Sequence, residues 1–298
     1  MFNRKNWFVA IMLVVLFFTS SSVNAQELVK KAIVVASFGT TYDEARKLNI
    51  ESIEQDIKNA FPEYDHYRAF TSRIVMKRLA ERGIVVDDLK TALDKLEDAG
   101  YTEVVVQPTL VTPEEEFDNK IMRVVNKYNS EQAFDKLLVG RPLLTTQGDN
   151  GTVNDFAVLT KALEGQLPAK MAANEAVVFM GHGSPNRHNV AYRLLQDQMV
   201  AEKKQIAIGV VEETDYPNFN DTLGYIKTKG YKKITLMPLM IVAGDHARND
   251  MAGDEPDSWK NMLQKEGFEV KVYMKGMGEN PNVRSIFVQH VRDAIQGK

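Results

Sequence analysis

The chain has 298 residues, 44% of them hydrophobic and 26% charged, with a formal net charge of −3 at pH 7. That near-balance, without a basic stripe, argues against a nucleic-acid partner. There is no cysteine, so no disulfide adds stability and the fold must rely on its core.

The length suits two domains of ordinary size behind a leader. Arg4-Lys5 precede an apolar run from Trp7 to Phe18, and Val23-Asn24-Ala25 approximates a small-x-small cleavage site. This is the layout of a secretory signal peptide. The run is shorter than the ~20 residues of a spanning helix. Cleavage before Gln26 and a periplasmic mature protein are therefore expected, and no later segment is apolar enough to span a membrane.

Strand and helix then alternate. Lys31 to Ser37 reads as a strand, Thr41 to Phe61 as a helix, and Tyr64 to Phe70 as a strand. Asp87-Asp88 start a helix that stops at Gly100. Thr102 to Gln107 is a strand. Glu114 to Tyr128 is a helix whose first turn carries Glu114, Glu115 and Glu116, where the dipole favours acids. Lys136 to Gly140 is a short strand, and Thr145 to Gly151 a candidate linker. The pattern then restarts, with strands at Ala176 to Met180, Gln205 to Val211, Lys233 to Val242 and Glu269 to Met274, helices between them, and a last helix from about Asn282 to Ile295. Such alternation specifies parallel sheets with helices on both faces. The expected organisation is a leader over 1–25, an α/β domain over 26–146 and a second over 147–298, with the last helix a candidate to pack back on the first domain.

The halves look like copies. Gly100-Tyr101 to Pro108 sits over Gly230-Tyr231 to Pro238 at a constant offset of 130 residues. Ile33 to Thr40 sits over Val177 to Ser184, here at an offset of 144 residues (177 − 33). These matches place Glu116 over His246 and Phe38 over His182.

Three ligand-type residues follow three strands of the second half: His182, Glu212 and His246. In a parallel sheet those strand ends share one edge, where ligands bind. Two imidazoles and a carboxylate there suit a divalent first-row metal. Glu213 adjoins Glu212, but the residue immediately past the strand is the one expected to point back over the edge. His188 reads as a rim group, and His66 and His290 as structural. Arg68, Arg73, Arg187 and Arg248 lie near strand ends or helix starts, where a guanidinium can hold a carboxylate.

At these residues the chain resembles a known family. Met180-Gly-His-Gly-Ser184, Gly209-Val-Val-Glu212, Met237-Pro-Leu-Met-Ile-Val-Ala-Gly-Asp-His-Ala247, Asn249 to Gly253 and Asp257 to Lys260 resemble the anaerobic-type sirohydrochlorin cobaltochelatases, which are class II, ATP-independent tetrapyrrole chelatases. The resemblance extends to Ala36 to Thr41, Arg68 to Ser72 and Gly278 to Pro281. It implies two similar doubly wound α/β domains with parallel sheets and an active site in the cleft between them. It implies insertion of Co2+ into sirohydrochlorin, with Ni2+ or Fe2+ as other candidate ions. The metal set is then His182, Glu212 and His246. The catalytic set is His182, His246 and Glu116, the last across the cleft, and substrate contacts fall to Ser37, Phe38, Thr40, Arg68, Arg73 and Arg248. Exported relatives imply an alternative, a periplasmic carrier of haem or metal on the same fold. Turnover separates the two, and the sequence leaves a homo-oligomer open.

Overall fold

The computed structural model describes residues 29–148, 152–184 and 190–298. The expected signal peptide lies outside the described residues, as do Arg187 and His188. No helix among the described residues is long and apolar enough to cross a membrane.

Two four-stranded sheets carry the chain. β1 (Lys31–Ser37), β2 (Asp65–Phe70), β3 (Glu103–Pro108) and β4 (Lys136–Val139) lie in the order β2-β1-β3-β4. β5 (Glu175–Gly181), β6 (Ile206–Val210), β7 (Lys233–Pro238) and β8 (Glu269–Val272) repeat it as β6-β5-β7-β8. Every pairing is parallel. All carboxyl ends of a sheet therefore share one edge, and the central strands are buried on both faces, which explains their near-continuous apolar runs.

The helices are α1 (Asp43–Ala45), α2 (Ser52–Ala60), α3 (Arg73–Ala80), α4 (Leu89–Asp98), α5 (Arg123–Glu131), α6 (Asp155–Leu163), α7 (Ala191–Ala201), α8 (Phe219–Thr228), α9 (Trp259–Lys265) and α10 (Pro281–Gln296). The helix expected from Thr41 to Phe61 is interrupted by a π-helical turn, Arg46–Glu51. The backbone at Gly276 and Gly278 sits against Asn49 in that turn, so closely that a Cβ on Gly278 would stand 2.8 Å from the Asn49 Cα. Inserted turns of this kind favour functional and close-packed places.

The duplication is written into the backbone. π-helical turns occur at Phe117–Met122 and Ala247–Met251, and the residues that lead into them, Glu116 and His246, have φ/ψ of −61°/−43° and −60°/−42°. Gly100 and Gly230, which follow α4 and α8, both have φ of +74°, the left-handed conformation that glycine adopts without a Cβ clash.

One apolar core joins the sheets. Ile33, Val35 and Val105 of the first sheet share it with Val177, Phe179 and Ile208 of the second, filled from between by α2, α6, α7 and α10. Separate cores cover the outer faces under α4 and α5 and under α8 and α9. α10 fully buries Val283, Phe287 and Val291, each worth about 1.5–3 kcal/mol of burial. Its Arg284 reaches Asp56 of α2 at 2.6 Å. Phe287→Ala would open this shared core at a cost of about 3–5 kcal/mol.

One strand is shorter than its hydrophobicity suggests. The apolar run from Ile234 to Val242 reads as one strand, yet the ladder ends at Pro238. Leu239 and Ile241 remain buried because the segment continues as an internal connection, with Met240 O and Ile241 O accepting from Met277 N and Gly278 N at 2.8 and 2.9 Å.

Candidate functional site

The carboxyl edge of the second sheet brings two imidazoles together. His182 follows β5 and His246 lies beyond its neighbour β7. Their rings meet edge to face with centroids 4.6 Å apart. Each ring has one nitrogen engaged. His182 Nδ1 lies 2.8 Å from the Gly183 carbonyl, and His246 Nδ1 lies 2.6 Å from Asp250 Oδ2. Both partners only accept, so each Nδ1 carries a proton, and in the neutral ring it is Nε2 that keeps the lone pair. A carboxylate behind a histidine fixes its tautomer and raises its basicity toward a metal. The π-helical turn places Asp250 there, four residues beyond His246.

Glycine makes the His182 loop possible. Gly183 has φ of +84°, and a Cβ there would stand 2.8 Å from the Val210 Cβ and 3.0 Å from the Glu212 Cβ. Backbone bonds bind the loop to the end of β6, with Val211 N donating to Gly181 O and Glu212 N to His182 O, each at 3.0 Å. Ser184 N donates to the buried Asp215 carboxylate at 2.7 Å. Burial raises the Asp215 pKa, against the opposing backbone bonds from Ser184 and Tyr216.

Glu212 is adjacent to His182 through its backbone, but no group of three or more His, Cys, Asp or Glu stands together for one ion among the described residues. Glu116 leads the π-helical turn of the first domain, and its Oε1 is buried without a hydrogen-bond partner among the described residues. Glu114, expected only to serve the helix dipole, is half-buried and accepts from the hydroxyls of Thr112 and, at 3.4 Å, Tyr192 of the second domain. Burial raises its pKa, opposed first by the hydrogen bond from Thr112. Tyr192 is fully buried and its hydroxyl accepts from Gly183 N at 3.5 Å. Glu114 thus reaches toward the His182 loop from the other half of the chain. No sequence signal marked it, since the repeat pairs it with Gly244.

Several expected substrate contacts are committed elsewhere. Arg68 lies within β2, not at its end; its guanidinium is held by Glu54 at 2.6 Å and lies 3.4 Å from Glu51. Ser37 is 1% exposed and its Oγ accepts from Thr109 at 2.7 Å. Thr40 is buried, and its hydroxyl accepts from Tyr42 N at 3.2 Å, shaping the loop. Phe38, by contrast, is 53% exposed at the carboxyl end of β1. Arg73 is exposed at the first turn of α3. Arg248 is exposed but stacks on the Tyr42 ring at 4.6 Å. His66 bonds the Phe61 carbonyl at 3.0 Å, and His290 is buried against Asp155 and the Arg141 carbonyl.

Comparison with known proteins bears on this geometry. The family model described as cobalt chelatase (CbiK) matches residues 31–296. The chain is 38% identical over 267 residues to the sirohydrochlorin cobaltochelatase of Salmonella typhimurium, covering 89% of this chain and 97% of that protein. It is 30% identical over 268 residues to the sirohydrochlorin cobaltochelatase CbiKC of Nitratidesulfovibrio vulgaris, covering 90% and 92%. Among solved structures, SirB from Bacillus subtilis with Fe3+ aligns with a TM-score of 0.57 at 15% identity, covering 90% of this chain and 98% of that one. The sirohydrochlorin chelatase SirB from the subspecies spizizenii in complex with cobalt gives 0.55 at 14%, covering 90% and 96%. At such identities the structural likeness speaks to the fold.

Proposed function

The chain belongs to the cobalt chelatase (CbiK) family, and from that premise we propose how its site carries out the reaction. The enzyme is a tetrapyrrole chelatase that inserts Co2+ into sirohydrochlorin. The observation that carries the division of roles is the imidazole pair, with ring centroids 4.6 Å apart and each Nδ1 held by an acceptor, which leaves Nε2 as the donor atom for an ion.

The chemistry sets three demands. The hydrated ion must lose water, two pyrrole N–H protons must leave, and the ring must be held while this happens. His182 and His246 replace waters as neutral nitrogen donors, a ligand type suited to Co2+ and also to Ni2+ and Fe2+. Glu212, its backbone tied to His182, would supply a third donor and offset charge once its side chain turns to the ion. As the ion passes into the ring, each released imidazole is free to accept a proton. Glu116, with a buried and unpartnered carboxylate oxygen, takes the second proton on the opposite face. Phe38, which replaces a ligand histidine in the first copy, offers an apolar face to the macrocycle, and Arg73 a cation for its carboxylates.

Purified protein incubated with sirohydrochlorin and Co2+ should convert many equivalents above a protein-free control, followed by absorption. Product formation that stops at one equivalent would favour a carrier. We propose further that the enzyme is exported to the periplasm; the layout of residues 1–25 supports this.

A further inference from the structure

The His246 segment is held from the other domain. Tyr42, at the start of α1, donates its hydroxyl to Asp245 Oδ1 at 2.7 Å across 203 residues of sequence. The Arg248 guanidinium lies over the same ring at 4.6 Å. Arg78 of α3 approaches the other Asp245 oxygen at 4.0 Å. Asp245 immediately precedes His246 and Arg248 follows it by two positions. The ring of Tyr42 is therefore gripped from both sides of the metal-holding imidazole.

These contacts do not touch the imidazoles themselves. His182 and His246 both come from the second domain, and Gly183 and Asp250, also of the second domain, orient them. What the Tyr42 contacts fix is the distance from that pair to the first domain, where Glu116 and Phe38 lie. Insertion depends on that distance, because the ion must leave the histidines for a ring lying between the domains, and displacements of about 1 Å can cost about a hundredfold in rate. Exposed ion pairs add little to stability, so this cluster on the cleft lip is poorly explained as a staple of the fold.

We infer that Tyr42 is a positioning residue for insertion: it clamps the Asp245–Arg248 segment to the first domain and so sets the metal-to-macrocycle geometry. The inference rests on the cobaltochelatase reading above. Tyr42→Phe removes the hydroxyl bond and keeps the ring under Arg248, while Tyr42→Leu removes both. Asp245→Asn retains an acceptor oxygen, and Asp245→Ala does not.

The test combines Co2+ titration without tetrapyrrole, kcat and KM for sirohydrochlorin, and thermal unfolding. In Tyr42→Phe, Co2+ affinity should stay within about twofold and Tm within about 2 °C. Its kcat should fall at least about fivefold with sirohydrochlorin KM little changed. Tyr42→Leu and Asp245→Ala should fall at least as far, and Asp245→Asn should retain most of the rate. A raised KM with intact kcat would make Tyr42 a substrate contact and overturn the inference. Loss of Co2+ affinity in step with kcat would overturn it too, placing the effect inside the metal site. Wild-type protein that turns over no faster than Tyr42→Phe overturns the inference alone. Wild-type protein that does not turn over overturns the cobaltochelatase reading, and the inference with it.

Discussion

Asp250 offers the sharpest handle on the metal site, because it touches His246 and not the ion's coordination sphere as proposed. Asp250→Ala removes the acceptor 2.6 Å from His246 Nδ1. The imidazole then loses both its fixed tautomer and the carboxylate charge beside it. Loss of such an orienting partner typically costs 10–100-fold in metal affinity. Both side chains are nearly half exposed, at 46% and 43%, so solvent screening puts the effect near the lower end. The expected loss is about tenfold in Co2+ affinity, about 1.4 kcal/mol. Asp250→Asn keeps an acceptor oxygen without the charge and should lose less. Stability should change by no more than about 0.5 kcal/mol, the range for an exposed i,i+4 pair. Cobalt absorption titrations of wild type, Asp250→Ala and Asp250→Asn measure the affinities, and denaturant unfolding measures the stability. Unaltered Co2+ affinity in Asp250→Ala would refute the assignment of Nε2 as the ligating atom and of Asp250 as its orienter.

Other expectations follow from neighbouring residues. His182→Ala and His246→Ala should each weaken Co2+ binding well over tenfold, about 1.4 kcal/mol per decade, while His66→Ala leaves binding and insertion intact; isothermal titration distinguishes them. Glu116→Gln should slow insertion by more than about tenfold, and the exposed Glu115→Gln serves as control; equal small effects would remove Glu116 from the site. Burial alone would raise the Asp155 carboxyl, but bonds from His290, Arg141 and Thr146 N–H outweigh it and hold it at about 2 against an ordinary 3.8. Its contribution is therefore full above about pH 4 and is lost as pH falls toward 2, about 2 kcal/mol in all; Asp155→Asn should flatten that acid limb in unfolding curves taken across pH. Intact-mass analysis of protein from its native host should show a start at or near Gln26, and a cytosolic chain beginning at Met1 would contradict export.

The sequence determined what is local or repeated. The span of β1 was legible to the residue, Lys31 to Ser37, because a strand buried on both faces carries an unbroken apolar run. The offset of 130 residues paired Glu116 with His246, and the backbone places both at the same point of matching π-helical turns. His182 was legible as a loop residue because β5 stops just before it, whereas His246, read from sequence as a loop residue, sits at the helical entry to the Ala247–Met251 turn, well beyond the end of β7. Tertiary structure alone decided where side chains are spent. Arg68 is claimed by Glu54, 14 residues earlier, and Ser37 by Thr109, 72 residues later. The apolar stretch from Leu239 to Val242 is buried by the turn before α10, not by a longer ladder. Glu114 and Tyr42 acquire their roles from Tyr192 and Asp245 in the other domain. Periodicity fixes the element and the face a residue occupies, since those follow from neighbouring backbone geometry. Which partner meets that face depends on how two sheets pack through a shared core, and no short stretch of sequence encodes that.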